Sequence, residues 1–143
     1  MTKVDSIIKT VLGFDFGMKR IGLAVGQTIT SHASPLATLK AKDGVPNWVD
    51  LDKSIIEWQP QALVVGIPLN MDGSTQLVTF AARKFAKKLK QKFKIPVYQV
   101  DERLTTIEAR ARLFETGGFR QLESSEVDSI AAVVITEQWL LDD

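Results

Sequence analysis

Residues 13–26, GFDFGMKRIGLAVG, decide how the chain begins. The run alternates through Phe14 and Phe16, is cut by Gly17, and resumes as IGLAVG after the short turn Met18-Lys19-Arg20, which reads as an antiparallel hairpin. One carboxylate, Asp15, stands inside this apolar, glycine-rich stretch. Alternation points it away from its two Phe neighbours. A charge within a core strand is costly unless a metal or a partner neutralises it. An Asp near a strand end that bonds the turn amides of Gly17 or Met18 is the structural explanation, and a metal ligand is the chemical one.

Outward from the hairpin, ITSHASPLATLKA (29–41) reads as a third strand interrupted by Pro35. In VPNWVDLDKSIIEWQP (45–60), Trp48, Leu51, Ile55 and Trp58 recur at helical spacing until Pro60 stops the helix. ALVVGI (62–67) is a continuous β-branched run, suited to a strand buried on both faces of a parallel sheet. PLNMDGST (68–75) follows as a loop. The next helix, from Thr75 to about Phe93, places Leu77, Phe80, Ala81, Phe85 and Leu89 on one side. IPVYQV (95–100) supplies a fifth strand. Thr105 and Glu108 form a capping box for a helix that Gly117-Gly118 end, and a last helix follows within SSEVDSIAAVVITEQW (124–139), capped by Ser124 or Ser125. The order β-β-β-α-β-α-β-α-α is that of an α/β, ribonuclease-H-like fold: a mixed five-stranded sheet, three antiparallel strands then parallel strands, with helices on both faces. No repeat or linker interrupts it, so residues 1–143 read as a single domain.

Composition narrows the chemistry. The chain has 143 residues, 45% of them apolar and 24% charged, with no cysteine and one histidine, His32. Disulfides, thiol catalysis and Cys/His zinc clusters are excluded, so any metal is held by oxygen ligands, which means magnesium or manganese. With neither a signal-peptide core nor an apolar run long enough to span a bilayer, the expectation is a cytoplasmic protein with no membrane partner. Net charge is only +1, but its distribution is uneven. Residues 83–94, RKFAKKLKQKFK, hold seven bases and no acid, whereas from Glu115 onward there are seven acids and one Arg. A polyanion lying over the basic face would suit this asymmetry, as would a solvated lysine-rich helix.

Three further acids merit attention. Asp101 and Glu102 end the fifth strand, at the edge where open α/β sheets bind their ligands. Asp128 lies at the start of the last helix, where an acid is also an ordinary dipole and capping partner. Ala131 and Ala132 would let that helix approach the sheet closely and carry Asp128 toward Asp15. Carboxylates from three elements could then hold two magnesium ions about 4 Å apart, an arrangement that serves phosphodiester hydrolysis. The triplet DFG at 15–17 also occurs in protein kinases, but the chain lacks a kinase's Gly-rich loop, VAIK-type lysine, HRD loop and APE, and is too short for two lobes. A sugar-kinase-type ATPase would need a duplicated fold.

FDFGMKRIGLAVG, VVGIPLNMDGS, VDERLTTIEARARL and VDSIAAVVI, taken in order and spacing from Leu12 to about Leu140, resemble the motifs of the YqgF/RuvX-like family of ribonuclease-H-fold proteins. The resemblance implies a nuclease acting either in 5′-end maturation of precursor 16S rRNA or as a Holliday-junction resolvase. It places the acidic site on Asp15, on Asp101 and Glu102, and on Asp128. Ribonuclease H and RuvC-type enzymes carry a second acid on the strand beside the first, and VVGIPLN offers none before Asp72. The second acid therefore comes from the strand two places from Asp15, about 9–10 Å away, a gap that favours the longer Glu102 over Asp101.

Lys19, Arg20 and Arg103 could meet the phosphate backbone near the acids, as could Asn70, and the bases Arg83, Lys84, Lys87 and Lys88 extend the candidate nucleic-acid surface. Gly73 and Ser74 follow Asn70 before a helix start, where a plain turn and cap would look the same. His32 has no acid near it in sequence and is given no catalytic role. Expected partners are precursor rRNA, or branched DNA as the alternative, and ribosomal particles. A resolvase cutting two strands would be a homodimer, whereas an end-trimming nuclease suffices as a monomer. A ribonuclease-H-like RNA-binding assembly factor that does not cut is the non-enzymatic alternative.

Overall fold

The computed structural model describes residues 8–69, 76–101 and 129–141. Strands β1 (Thr10–Asp15) and β2 (Arg20–Gln27) form the expected hairpin, in register from Thr10 opposite Gln27 to Asp15 opposite Gly22. The turn requires Gly17, because a Cβ there would lie 2.4 Å from the Arg20 carbonyl oxygen. Strand β3 (His32–Lys42) runs unbroken through Pro35. Pro35 pairs with Ala24 of β2 on one side, while β4 (Val45–Pro46) meets β3 only at Ala41 and Lys42. At Pro35, β3 is therefore an edge, where a missing N–H breaks no ladder bond.

Strand β4 corrects the expectation of five strands: the sheet has six, in the order β4-β3-β2-β1-β5-β6. Its signal is Asp43-Gly44, where both residues take positive φ (53° and 81°), as a two-residue hairpin turn demands. Helix α1 (Trp48–Trp58) starts at Asn47, whose side chain accepts from the Val49 and Asp50 amides, and ends at the left-handed Gln59 before Pro60. Strands β5 (Ala62–Ile67) and β6 (Val97–Asp101) extend the sheet in parallel beyond β1. Helix α2 (Leu77–Phe93) connects them, and helix α3 (Ile130–Leu141) comes last.

Strand alternation sorts the core into two faces. Leu12, Phe14, Leu63 and Val65 pack with Leu51 of α1 and with Ala82, Phe85 and Leu89 of α2. Phe85 lies edge-on to Phe14 at 5.5 Å and tilted on Phe16 at 5.4 Å. The buried stripe of α2 is Thr79, Ala82, Phe85, Ala86 and Leu89. Leu77 and Phe80, expected on that stripe, are exposed instead; the small Ala82 and Ala86 let the helix sit close to the sheet through the side they share with Phe85. Thr79 anchors the start of α2, its hydroxyl donating to the Pro68 carbonyl at the end of β5 and accepting from the Gln76 amide.

On the opposite face, Val11, Ala62 and Val64 meet Ile135, Trp139 and Leu140 of α3, while Ala24 meets Ala132 and Val133. Contact here is unusually close. A Cβ built on Gly13 would fall 1.7 Å from Thr136 Oγ1, and one on Gly26 2.7 Å from the Thr136 methyl. The expected close approach of this helix thus rests on Ala132, with two sheet glycines as its counterpart.

Candidate active site

Asp15 is the last residue of β1 and lies half-buried on the α3 face of the sheet, with the parity of Val11 and Gly13. Its register neighbours are Gly22 on β2 and Gly66 on β5. Neither strand next to it contributes a side chain beside its carboxylate. These two glycines are the register partners of Asp15 and escape a reading that weighs acids alone. Their signal is IGLAVG and VVGIP aligned on FDFG, which becomes visible only once the strand order is known.

Helix α3 is directed at the same place. Thr136 and Ala132 lie on Gly13, while Ile135, Trp139 and Leu140 lie on Val11 and Leu140 also reaches the Gly26 position, so α3 runs antiparallel to β1 and its N-terminal end faces the Asp15 end. Ser129, at that end, is fully buried. Asp128, Glu102, Arg103 and Asn70 lie outside the described residues, as do Gly73, Ser74, Thr105 and Asp72.

Strand β6 stands two places from β1, with β5 between them. Asp101 is exposed and pairs with Ile67, whereas Val100 pairs with Gly66, the neighbour of Asp15. Alternation assigns Val100 to the Asp15 face, where it packs with the α3 cluster, and Asp101 to the Ile67 face with α1 and α2. Among the described residues no group of three His, Cys, Asp or Glu side chains forms a metal cluster.

The basic residues divide by face. Arg20 has the parity of Gly22 and Ala24 and therefore shares Asp15's face, two residues along β2 from the glycine opposite Asp15. Lys40 of β3 pairs with Arg20, so the fold sets two exposed basic residues directly opposite each other. Lys40 is a candidate phosphate contact that residue spacing does not disclose. Lys19 is exposed in the turn, and its carbonyl accepts from the Ala41 amide while the Met18 carbonyl accepts from Gly44, so the turn is tied to the β3–β4 hairpin. Arg83, Lys84, Lys87 and Lys88 are exposed on α2, across the sheet from Asp15. Lys84 and Lys88 line a cavity of about 200 Å³ with Gly44 and Trp48. Gly44 borders Met18 and Phe16, so this cavity adjoins the loop that leaves the Asp15 strand.

His32 sits at the far end of β2, pairing with Gln27, five residues from Gly22 and so roughly 17 Å along the strand. Its Nδ1 lies 3.5 Å from Glu137, whose carboxylate also accepts from the Ala33 amide. No helix among the described residues is long and apolar enough to cross a membrane.

The family profile described as "RuvX: Holliday junction resolvase" matches residues 9–142. The chain belongs to the RuvX family. This RuvX-family chain is 59% identical over 129 residues to a Legionella pneumophila protein named "Putative pre-16S rRNA nuclease", covering 90% of this chain and 93% of the relative. It is 56% identical over 131 residues to a protein of the same name from Proteus mirabilis, covering 92% and 94%. Among solved structures it resembles Thermus thermophilus RuvC in complex with Holliday junction substrate, at a TM-score of 0.59 and 16% identity over 92% of this chain and 93% of that one. Fowlpox virus resolvase with Holliday junction DNA gives 0.51 at 10% identity, covering 93% and 99%. These structural likenesses place the RuvX chain in the RuvC-like, ribonuclease-H-like fold.

Proposed function

We propose that the chain is a cytoplasmic nuclease that hydrolyses phosphodiester bonds at the Asp15 end of β1, in maturation of the 5′ end of precursor 16S rRNA on ribosomal particles. The observation that carries this reading is the setting of Asp15: a half-buried carboxylate at a strand end, flanked in register by Gly22 and Gly66, on the face toward which α3 directs its N-terminal end.

Oxygen ligands suit a hard cation, and the register partners of Asp15, Gly22 and Gly66, carry no side chain that would compete with one. Asp15, Glu102 and Asp128 are the residues that would hold magnesium or manganese, and Asp101 is set aside because strand alternation gives it the parity of the other face. A divalent ion bound there would stabilise charge on the attacking and leaving oxygens of the displaced phosphate. Arg20 and Lys40 would hold the phosphate backbone beside the acids, with Lys19 and Arg103 at its flanks. Asn70 would meet the substrate from the loop after β5. Arg83, Lys84, Lys87 and Lys88 would bind a more distant part of the strand through charge, without reading sequence.

The RNA assignment rests on the names of the relatives; the family description favours a second reading, cleavage of branched DNA as a homodimer. Incubating the purified protein and magnesium or manganese with a precursor 16S rRNA fragment and, separately, a four-way DNA junction tests both. Trimming of the RNA with the junction intact supports the proposal. Symmetric junction cuts with the RNA intact replace it by the resolvase. Tight RNA binding with neither substrate cut leaves an RNA-binding assembly factor.

A further inference from the structure

We propose that an unpaired nucleic-acid strand rounds the β4 edge of the sheet and seats one base in the cavity between β4 and α2; this deepens the nucleic-acid reading above and rests on it. Two hollows meet at β4. The cavity of about 200 Å³ is walled by Pro46, Trp48 and Phe85, and the exposed Lys84 and Lys88 belong to its lining. An open groove of about 600 Å³ follows the β3–β4 hairpin past Lys40 and Lys42. The two share Asp43, Val45 and Pro46, so they are continuous across β4.

Alternation gives Lys40 and Lys42 the face of Arg20, and so of Asp15, whereas Trp48 and Phe85 pack on the opposite face. The path therefore leads from the face that carries Asp15 round to α2. Four exposed lysines border it against one acid, Asp43, a balance that suits a polyanion. A strand on this path turns from face to face within β4, which is two residues long. Duplex DNA resists bending over about 50 nm, so the turn suits an unpaired strand. At about 200 Å³ the cavity is smaller than a site for a whole small molecule, which takes roughly 300–1,000 Å³. Its apolar wall suits one flat ring system, the part of a nucleotide that an unpaired strand splays out. The hairpin that bears this wall is tied to the turn after Asp15, because the Gly44 amide donates to the Met18 carbonyl and the Ala41 amide to the Lys19 carbonyl. Trp48 is held in turn by Phe85 and Phe93, with Lys92 Nζ 4.9 Å from its ring centroid.

The test is fluorescence-anisotropy titration of the full chain in EDTA, so that nothing is cut. The probes are labelled single strands of RNA and of DNA about a dozen nucleotides long, within the roughly 4–16 that single-strand sites cover, an abasic strand of the same length, and the duplex. At least one intact single strand should bind wild type more tightly than the duplex, and about 5- to 150-fold more tightly than the abasic strand, the worth of one base against an aromatic wall. Ala81 also lines the cavity. Ala81→Met, which fills the cavity without altering charge, should abolish that advantage, so that intact and abasic strands bind alike. Lys42→Ala should lower the salt slope for the intact strand by about 0.7. Should Ala81→Met not melt as wild type does, Trp48→Leu carries the same comparison. Wild-type preference for the intact strand in the variant that fills or strips the cavity overturns the proposal, as does an unaltered slope in Lys42→Ala. Tight binding of the duplex alone overturns it and leaves the nuclease reading standing. Binding of neither single strand nor duplex sinks the nucleic-acid reading, and the path falls with it.

Discussion

Replacing Gly13 by alanine drives a methyl group into α3. The added carbon would lie 1.7 Å from Thr136 Oγ1, 3.0 Å from Thr136 Cβ and 3.4 Å from the Ala132 carbonyl oxygen. Ordinary contact at the first of these needs well over 1 Å of movement. Thr136 cannot simply rotate away without cost, because its buried hydroxyl donates to the Ala132 carbonyl at 2.6 Å; breaking that bond leaves polar groups unsatisfied at about 1–3 kcal/mol. Moving α3 outward instead loosens the contacts of Val11 and Val64 with Ile135 and Trp139, an overpacking cost of about 1–3 kcal/mol. Either route predicts a loss of about 1–3 kcal/mol, which at roughly 2–4 °C per kcal/mol lowers the melting midpoint by about 2–12 °C. Urea denaturation of wild type, Gly13→Ala, Thr136→Ala and the double variant measures it. Because Thr136→Ala removes the nearest clashing atom, the two changes should couple by about 1 kcal/mol or more, the double variant being more stable than the sum predicts. Additive losses, or a Gly13→Ala protein as stable as wild type, would refute the close packing of α3 on β1.

Gly66→Val sets a branched side chain in register beside Asp15. Valine suits a strand, so cleavage should fall at least tenfold, an order-of-magnitude expectation for a misplaced reacting group, while circular dichroism still reports a folded chain; wild-type turnover would show that the side-chain position beside Asp15 does not matter to cleavage. Lys84→Ala and Lys88→Ala should each lower the slope of log binding constant against log salt by about 0.7 for single-stranded RNA, with the cleavage step itself unchanged. An unaltered slope in fluorescence-anisotropy titrations would remove α2 from the nucleic-acid surface.

The hairpin is legible in residues 13–26 because alternation and Gly17 act locally, and β5 is legible because burial on both faces demands a continuous apolar run. Helix α2 is legible as a helix, but its face is not: Leu77 and Phe80 outrank Ala82 and Ala86 on any hydropathy scale, yet small residues are what close helix–sheet contact selects. Strand β4 announces itself through Asp43-Gly44, though two residues are too few for a periodic signal. In the site, Asp15 stands out because a charge in an apolar strand is locally anomalous. Gly22, Gly66 and Lys40 do not, since each matters only through a neighbour in the sheet: the first two beside Asp15 and Lys40 opposite Arg20. Strand order is a long-range property, and no local pattern discloses it.

The central claim is that Asp15 carries phosphodiester hydrolysis. Its most direct test is single-turnover cleavage of a precursor 16S rRNA fragment in magnesium by wild type and Asp15→Asn purified in parallel. An amide of the same shape removes the charge and leaves the strand intact, so the rate should fall by about 10²–10³-fold or more with the melting curve essentially retained. Cleavage by Asp15→Asn at the wild-type rate would contradict the account.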